Sequence, residues 1–299
     1  GIPAGPLLSG RWLLYYAGLG FDVLTYKTVR SIERACYPMP NLQPVRCGDL
    51  SGGEDVLPTS EAMHGSWAVS FGMPSKVPAT WMADVEQTKD RLPAGKVLSV
   101  SVVGSDQKGW TLEQLADDYA QCARWAVDSG ADVIETNFSC PNVSTCDGQL
   151  YQQPEQARIV AERVREAIGK VPLVIKIGHI DNDASVEAVL QSLAPFASAL
   201  AMTNSVATTV ADRKGTLLFD GAPRGVCGAA TRVASTQQTA RFHGVAVRLG
   251  LEIELIGVGG AATAEHVREY LDAGANAVHL ATAAMVNPGV ACEIRRAWA

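Results

Sequence analysis

The stretch Ala131-Asp132-Val133-Ile134-Glu135-Thr136-Asn137-Phe138-Ser139-Cys140-Pro141-Asn142 decides the fold. Residues 131–137 read as a buried strand, and Pro141, which has no N–H to give a ladder, stops it. The tip gathers Asn137, Ser139, Cys140 and Asn142, so amides, a hydroxyl and a thiol meet at one strand end. The next residues, Val143 to Gln153, are polar, contain Gly148 and read as a flexible loop over the tip. A nucleophile or base at a strand tip beneath a loop is a catalytic arrangement. A buried structural cysteine beside a turn is the plainer alternative.

Working outward, the strand lies between two amphipathic helices. Thr111 to Ser129 carries Leu112, Leu115, Tyr119, Cys122 and Ala126 at helical spacing, with Thr111 placed to cap it and Gly130 to end it. Pro154 to Ile168 is the second helix, with Gly169 after it. Strands then follow at 173–178, 199–204, 253–258 and 277–282, separated by helices at 184–196, 235–249 and 263–273, and a short helix runs to Trp298. Before the opening stretch lie a strand at 96–103, a helix at 78–91, a short extended piece at 66–71, a strand at 21–27, a helix at 7–18 and a first strand at 2–5.

Eight near-continuous apolar strands alternating with helices in 299 residues predict an α/β chain, a single (β/α)8 TIM barrel over 1–299. Two excursions, 28–65 and 205–232, follow strands and so belong at the C-terminal mouth, where such barrels hold their sites. A doubly wound open sheet is the alternative, but no Gly-x-Gly-x-x-Gly follows the first strand.

Composition narrows the function. A net charge of −6 and a pI near 5.4 give no basic field for nucleic acid. No apolar run is long enough to span a bilayer, so no membrane role is expected. The seven cysteines are scattered without a Cys-x-x-Cys pair, and the five histidines lack ligand spacing, so no metal is expected and the thiols read as reduced, in the cytoplasm. His243 and His266 fall in helices, and Cys122 reads as helix core. Residue 1 is Gly, so the numbering can begin inside a longer protein.

The strand tips carry the chemistry. Lys176 lies between Ile175 and Ile177 on a buried strand, where a cation needs an anion or polar ligand. A salt bridge inside the barrel is the structural alternative. Lys27 repeats the pattern on the strand 21–27, and two lysines at one mouth suggest an anionic or electron-rich ligand. Gly257-Val258-Gly259-Gly260, followed by Thr263 and a helix, reads as a phosphate cradle, although glycines also serve plain turns. Ala281-Thr282-Ala283 on the next strand strengthens it, and Gly225 to Gly228 adds a further close-approach turn.

This constellation resembles the dihydroorotate dehydrogenase family, most of all its soluble class 1 members. The pyrimidine-reducing domain of dihydropyrimidine dehydrogenase shares the pattern. The resemblance covers essentially the whole chain. It rests on Thr25-Tyr26-Lys27-Thr28, Ser70-Phe71-Gly72-Met73-Pro74, Asn137 to Asn142, Ile175-Lys176, Thr203-Asn204-Ser205, Gly257 to Gly260 and Ala281-Thr282-Ala283. It implies an FMN-binding oxidoreductase that oxidises dihydroorotate to orotate or acts on a related cyclic CH–CH substrate. Cys140 is implied as the general base, with Lys27 as its catalytic companion. Gly259, Gly260, Ala281 and Thr282 are implied to hold the FMN phosphate, and Lys176 the flavin's pyrimidine edge. Lys27, Thr28, Asn137, Thr203 and Gly228 would contact the ring or ribityl chain, with Ala4 and Gly5 beneath. Lys27, Asn137, Asn142, Asn204 and Ser205 would hold the substrate. A homodimer, and a partner flavoprotein for electron transfer, are implied by analogy.

Two departures from the family pattern stand out. Val69 occupies the position before the Ser-x-Gly-x-Pro motif where relatives carry Asn, and residues 31–41 replace a Gly-Asn-Pro and Arg segment. The flavin side keeps the pattern while part of the substrate side does not. A dihydropyrimidine-type substrate is therefore the nearest alternative, and a non-redox barrel binding a phosphorylated ligand, or a flavin protein without turnover, the more distant ones.

Overall fold

The structure is a computed structural model that describes residues 1–63, 65–105, 107–139 and 149–298. Seven parallel strands form one sheet in the order Val23–Val29, Val97–Val102, Val133–Asn137, Leu173–Lys176, Ala199–Met202, Glu254–Val258, Ala277–His279. The expected first strand, 2–5, shrinks to a single parallel bridge at Ile2. That bridge closes the barrel. The Gly1 carbonyl accepts from Leu280 N (2.8 Å), while Ile2 N donates to Val23 O (2.8 Å). The Ala4 and Gly5 that follow have no β partners because the chain turns at once into the helix Gly10–Ala17.

Helix bounds follow local chemistry. Thr111 and Gln114 form a reciprocal capping box at the start of Leu112–Asp128. Pro154–Ile168 begins on its proline, and Arg232–Leu249 ends on Gly250 in the left-handed region. The strands Leu173–Lys176 and Ala199–Met202 are buried at every position, as expected of a sheet covered on both faces.

Three expectations need correction. The last strand stops at His279, and Thr282 opens a separate short helix, Thr282–Val286, instead of ending a strand. Within the expected loop 143–153, residues 143–148 lie outside the described residues. Leu150–Gln152 forms a 3-10 turn whose Leu150 and Tyr151 are buried, because these two large side chains pack into the core. The chain ends in two short helices, Thr282–Val286 and Val290–Arg296, with Asn287-Pro288-Gly289 breaking them apart.

The excursions are not loose. Their strands join the short extended piece expected at 66–71 in an antiparallel sheet, in the order Leu42–Pro44, Ser66–Val69, Arg224–Gly228, Val206–Thr208. Val69 sits opposite Gly225 on one side and Leu42 on the other. Val45, Leu50, Ala68, Val206, Val210 and Val226 give this sheet a small core of its own, separate from the main one.

Candidate active site

Local register brings the strand tips together. Asn137 lies directly beside Lys176 across the parallel ladder, and Lys176 beside Ala201. Phe138 N donates to the Lys176 carbonyl (3.0 Å), which carries the pairing one residue past the strand. Asn137 Nδ2 donates to Thr28 Oγ1 (3.3 Å) and approaches Met73 Sδ (3.5 Å), while its Oδ1 accepts from Ser139 N (3.1 Å). Thr28 Oγ1 also pairs with Ser101 Oγ (3.0 Å). Asn204 Nδ2 donates to the Ser139 carbonyl (2.5 Å), and Thr203 Oγ1 to Gln238 Oε1 (2.9 Å). Ser205 is buried. Thr28, Asn137, Ser139, Lys176, Thr203 and Asn204 thus converge, one residue short of Cys140. Cys140 and Asn142 themselves lie outside the described residues.

The two lysines differ in setting. Lys176 is 4 % exposed, and its Nζ makes a single long bond, 3.4 Å, to the Ala4 carbonyl. Lys27 is half-buried and donates to the carbonyls of Pro74 and Thr28. Burial, reinforced by the Arg30 charge, lowers its pKa to about 8.

The glycine turns also meet. Gly259 (φ 146°) and Gly260 (φ 65°) follow the strand Glu254–Val258, and a Cβ at Gly260 would come within 2.8 Å of the Gly228 carbonyl. Gly228 itself has φ 105°, and a Cβ there would run 2.1 Å from the Gly65 carbonyl. Packing therefore explains these glycines, and it is this packing that brings the two turns together. The helix Thr282–Val286 lies beside Arg224–Gly228, which puts Thr282 and Ala281 in the same neighbourhood. Gly5 (φ 135°) differs: nothing lies within 4 Å of its absent Cβ.

Sequence reasoning missed three contributors. Arg30 is fully buried. Its Nη1 donates to the Gly104 carbonyl (2.6 Å) and its Nε to the Met73 carbonyl (3.2 Å), pinning the Met73-Pro74 turn against Asn137. Glu135 (2 % exposed) and His279 (4 % exposed) lie deeper in the barrel, and Glu135 Oε1 and both His279 ring nitrogens have no hydrogen-bond partner among the described residues. Burial raises the Glu135 carboxyl, with the Lys176 ammonium pulling against it, and burial lowers the His279 imidazole. A carboxylate two residues before the Asn137 tip was the available signal for Glu135.

These residues fit FMN. A buried ammonium with one weak partner suits a ring that becomes anionic on reduction, and the open space beside Gly5 leaves room for a ligand next to the Ala4 carbonyl that Lys176 reaches.

Comparison with known proteins agrees. The dihydroorotate dehydrogenase family model matches residues 60–297. A dihydroorotate dehydrogenase from Dictyostelium discoideum is 31% identical over 313 aligned positions, covering 98% of this chain and 83% of its own. A dihydroorotate dehydrogenase B (NAD(+)) catalytic subunit from Desulforudis audaxviator is 31% identical, covering 93% and 79%. In fold, the chain is similar to the crystal structure of an Eimeria tenella DHODH in complex with ferulenol, with a TM-score of 0.77 at 16% identity, covering 99% of this chain and 79% of that one. The converging strand tips and the buried lysine therefore belong to a member of the dihydroorotate dehydrogenase family, FMN-dependent oxidoreductases acting on a CH–CH group.

Proposed function

We propose that this chain oxidises dihydroorotate to orotate, or a closely similar cyclic amide, at the mouth built from Thr28, Asn137, Lys176, Thr203 and Asn204. The observation that carries the reading is the linkage of three strand tips around Ser139, the residue before Cys140: Asn204 bonds Ser139, and Asn137 bonds both Ser139 and Thr28. When bound, FMN supplies the hydride acceptor. Cys140, as its thiolate, takes the proton from the carbon next to the one that gives up hydride, a role open to a thiol of ordinary pKa about 8.5 once its site lowers that value. The amides of Asn137, Asn142 and Asn204 and the Ser205 hydroxyl match a ring that alternates N–H and C=O. Lys27 meets the anionic side of the substrate, and Lys176 the electron-rich edge of the flavin. Gly259, Gly260, Ala281 and Thr282 hold the phosphate, Gly228 the ribityl side, and Ala4 and Gly5 line the floor.

Val69 favours a second reading, in which the substrate is a dihydropyrimidine with an apolar edge at this point. A homodimer, a cytoplasmic setting and a partner flavoprotein complete the proposal. The cysteines among the described residues are free thiols, and no described helix is long and apolar enough to cross a membrane. The partner is suggested by the relative named a catalytic subunit.

The test is anaerobic mixing of the purified protein with dihydroorotate. A yellow flavin spectrum that bleaches is expected. A protein that neither retains nor rebinds FMN would overturn the proposal, and a flavin bleached by a dihydropyrimidine but not by dihydroorotate would select the second reading.

A further inference from the structure

Among the described residues, Glu135 is the only buried carboxylate and Lys176 the only buried lysine, and both stand in the barrel interior. Glu135 lies two residues before Asn137 on the same face of its strand, one layer below the Asn137–Lys176 pair. Its lateral neighbours are Ser101 and Val174. The surrounding lining is small and apolar, with Val174, Ala199, Ala201 and Val258 in one cluster. No direct bond joins the two charges: Lys176 reaches up to the Ala4 carbonyl, and the Glu135 carboxyl interacts with the Ser101 hydroxyl while its Oε1 has no partner among the described residues. His279 on the last strand stands near Lys176 and the buried Gly1 amine, and burial lowers its imidazole. A lone buried ammonium is costly, and a lone buried carboxylate equally so. Each makes the other tolerable.

We propose that Glu135 is the charge-balancing residue of the flavin site, offsetting Lys176 from within the barrel and tempering its attraction for reduced FMN. This rests on the FMN reading above. Lys176 alone would hold the reduced, anionic ring so strongly that electrons leave it reluctantly. A carboxylate one layer further down weakens that hold without touching flavin or substrate, and lets electrons pass to an acceptor.

Two measurements test this. The first needs no flavin: urea unfolding of the wild type, Glu135→Gln, Lys176→Met and the double variant. Each single change should lower the folded-to-unfolded ratio at least about tenfold by leaving one charge unbalanced, and the double change should recover most of that loss. A double variant as unstable as the two losses combined would overturn the pairing. The second is the reduction potential of bound FMN in Glu135→Gln. The variant should favour reduced over oxidised FMN at least about tenfold more than the wild type, a rise of about 30 mV for a two-electron couple. An unchanged or lowered potential at full FMN occupancy would overturn the tempering role. A chain that binds no FMN would instead sink the functional reading, and the unfolding cycle would still decide whether the two charges pair.

Discussion

The barrel mouth and the antiparallel sheet beside it are built by different rules. At the mouth, Asn137 and Lys176 meet because neighbouring parallel strands fix their register. In the adjoining sheet, Val69 meets Gly225 only because the Ser66–Val69 strand pairs with a strand of the second excursion, more than a hundred residues away. The first region carries the residues on which the family resemblance rests. The second carries Val69, the departure from the pattern noted in the sequence. Rigid strand ends suit transfer chemistry, which tolerates little displacement, whereas a sheet assembled from excursions can change ligand preference without disturbing the barrel.

The largest test of this division is Cys140→Ala, at the barrel tip. Flavin reduction by substrate should slow by about 10²–10⁴, as for loss of a positioned base, with orotate affinity little changed. Stopped-flow absorbance reads this directly, and a wild-type rate would remove Cys140 from the mechanism.

Gly228→Ala probes the other region. The new Cβ would meet the Gly65 carbonyl in a backbone conformation, φ 105° and ψ −156°, that only glycine adopts readily. The expected cost is roughly 2–5 kcal/mol of stability. Urea denaturation should show it, and an unchanged midpoint would mean that the two excursions do not pack as described.

Val69→Asn sharpens the comparison. Val69 can neither donate nor accept, so a polar ring edge against it stays unsatisfied at roughly 1–3 kcal/mol. Restoring the amide should tighten orotate by about tenfold while leaving the rate of flavin reduction nearly constant. Flavin perturbation on titrating orotate measures it. Tight binding by the wild type with no gain in the variant would make the substrate plain dihydroorotate.

The smallest effect joins the two regions. Lys27 stands at the mouth but bonds to Pro74, in the turn that follows the Ser66–Val69 strand. With its pKa lowered to about 8, it is charged below that pH and neutral above it. Affinity for anionic orotate should therefore fall several-fold, at most about tenfold, as pH rises through this value, and Lys27→Gln should flatten the profile. A profile equally steep in the variant would assign the titration to another group.

Much of this was legible from periodicity. The helix Pro154–Ile168 and the strand Leu173–Lys176 could be read because caps, glycines and apolar runs are local signals. The tip residues Asn137, Lys176 and Asn204 could be read because a polar group at the end of an apolar run stands out against its neighbours. The extents of the first and last strands could not, since a single bridge at Ile2 stands in for the strand expected over 2–5 and Thr282 starts a helix instead of ending a strand.

Sequence alone determined that this chain alternates strands and helices and which residues stand at the strand ends, because both depend on neighbours a few positions away. Only the tertiary structure decided that Gly228 faces Gly65, that Val69 lies against Gly225, and that Glu135 and Lys176 share one barrel interior. Those pairings join residues far apart in the chain, and their energies, steric exclusion and uncompensated buried charge, exist only once the barrel has closed.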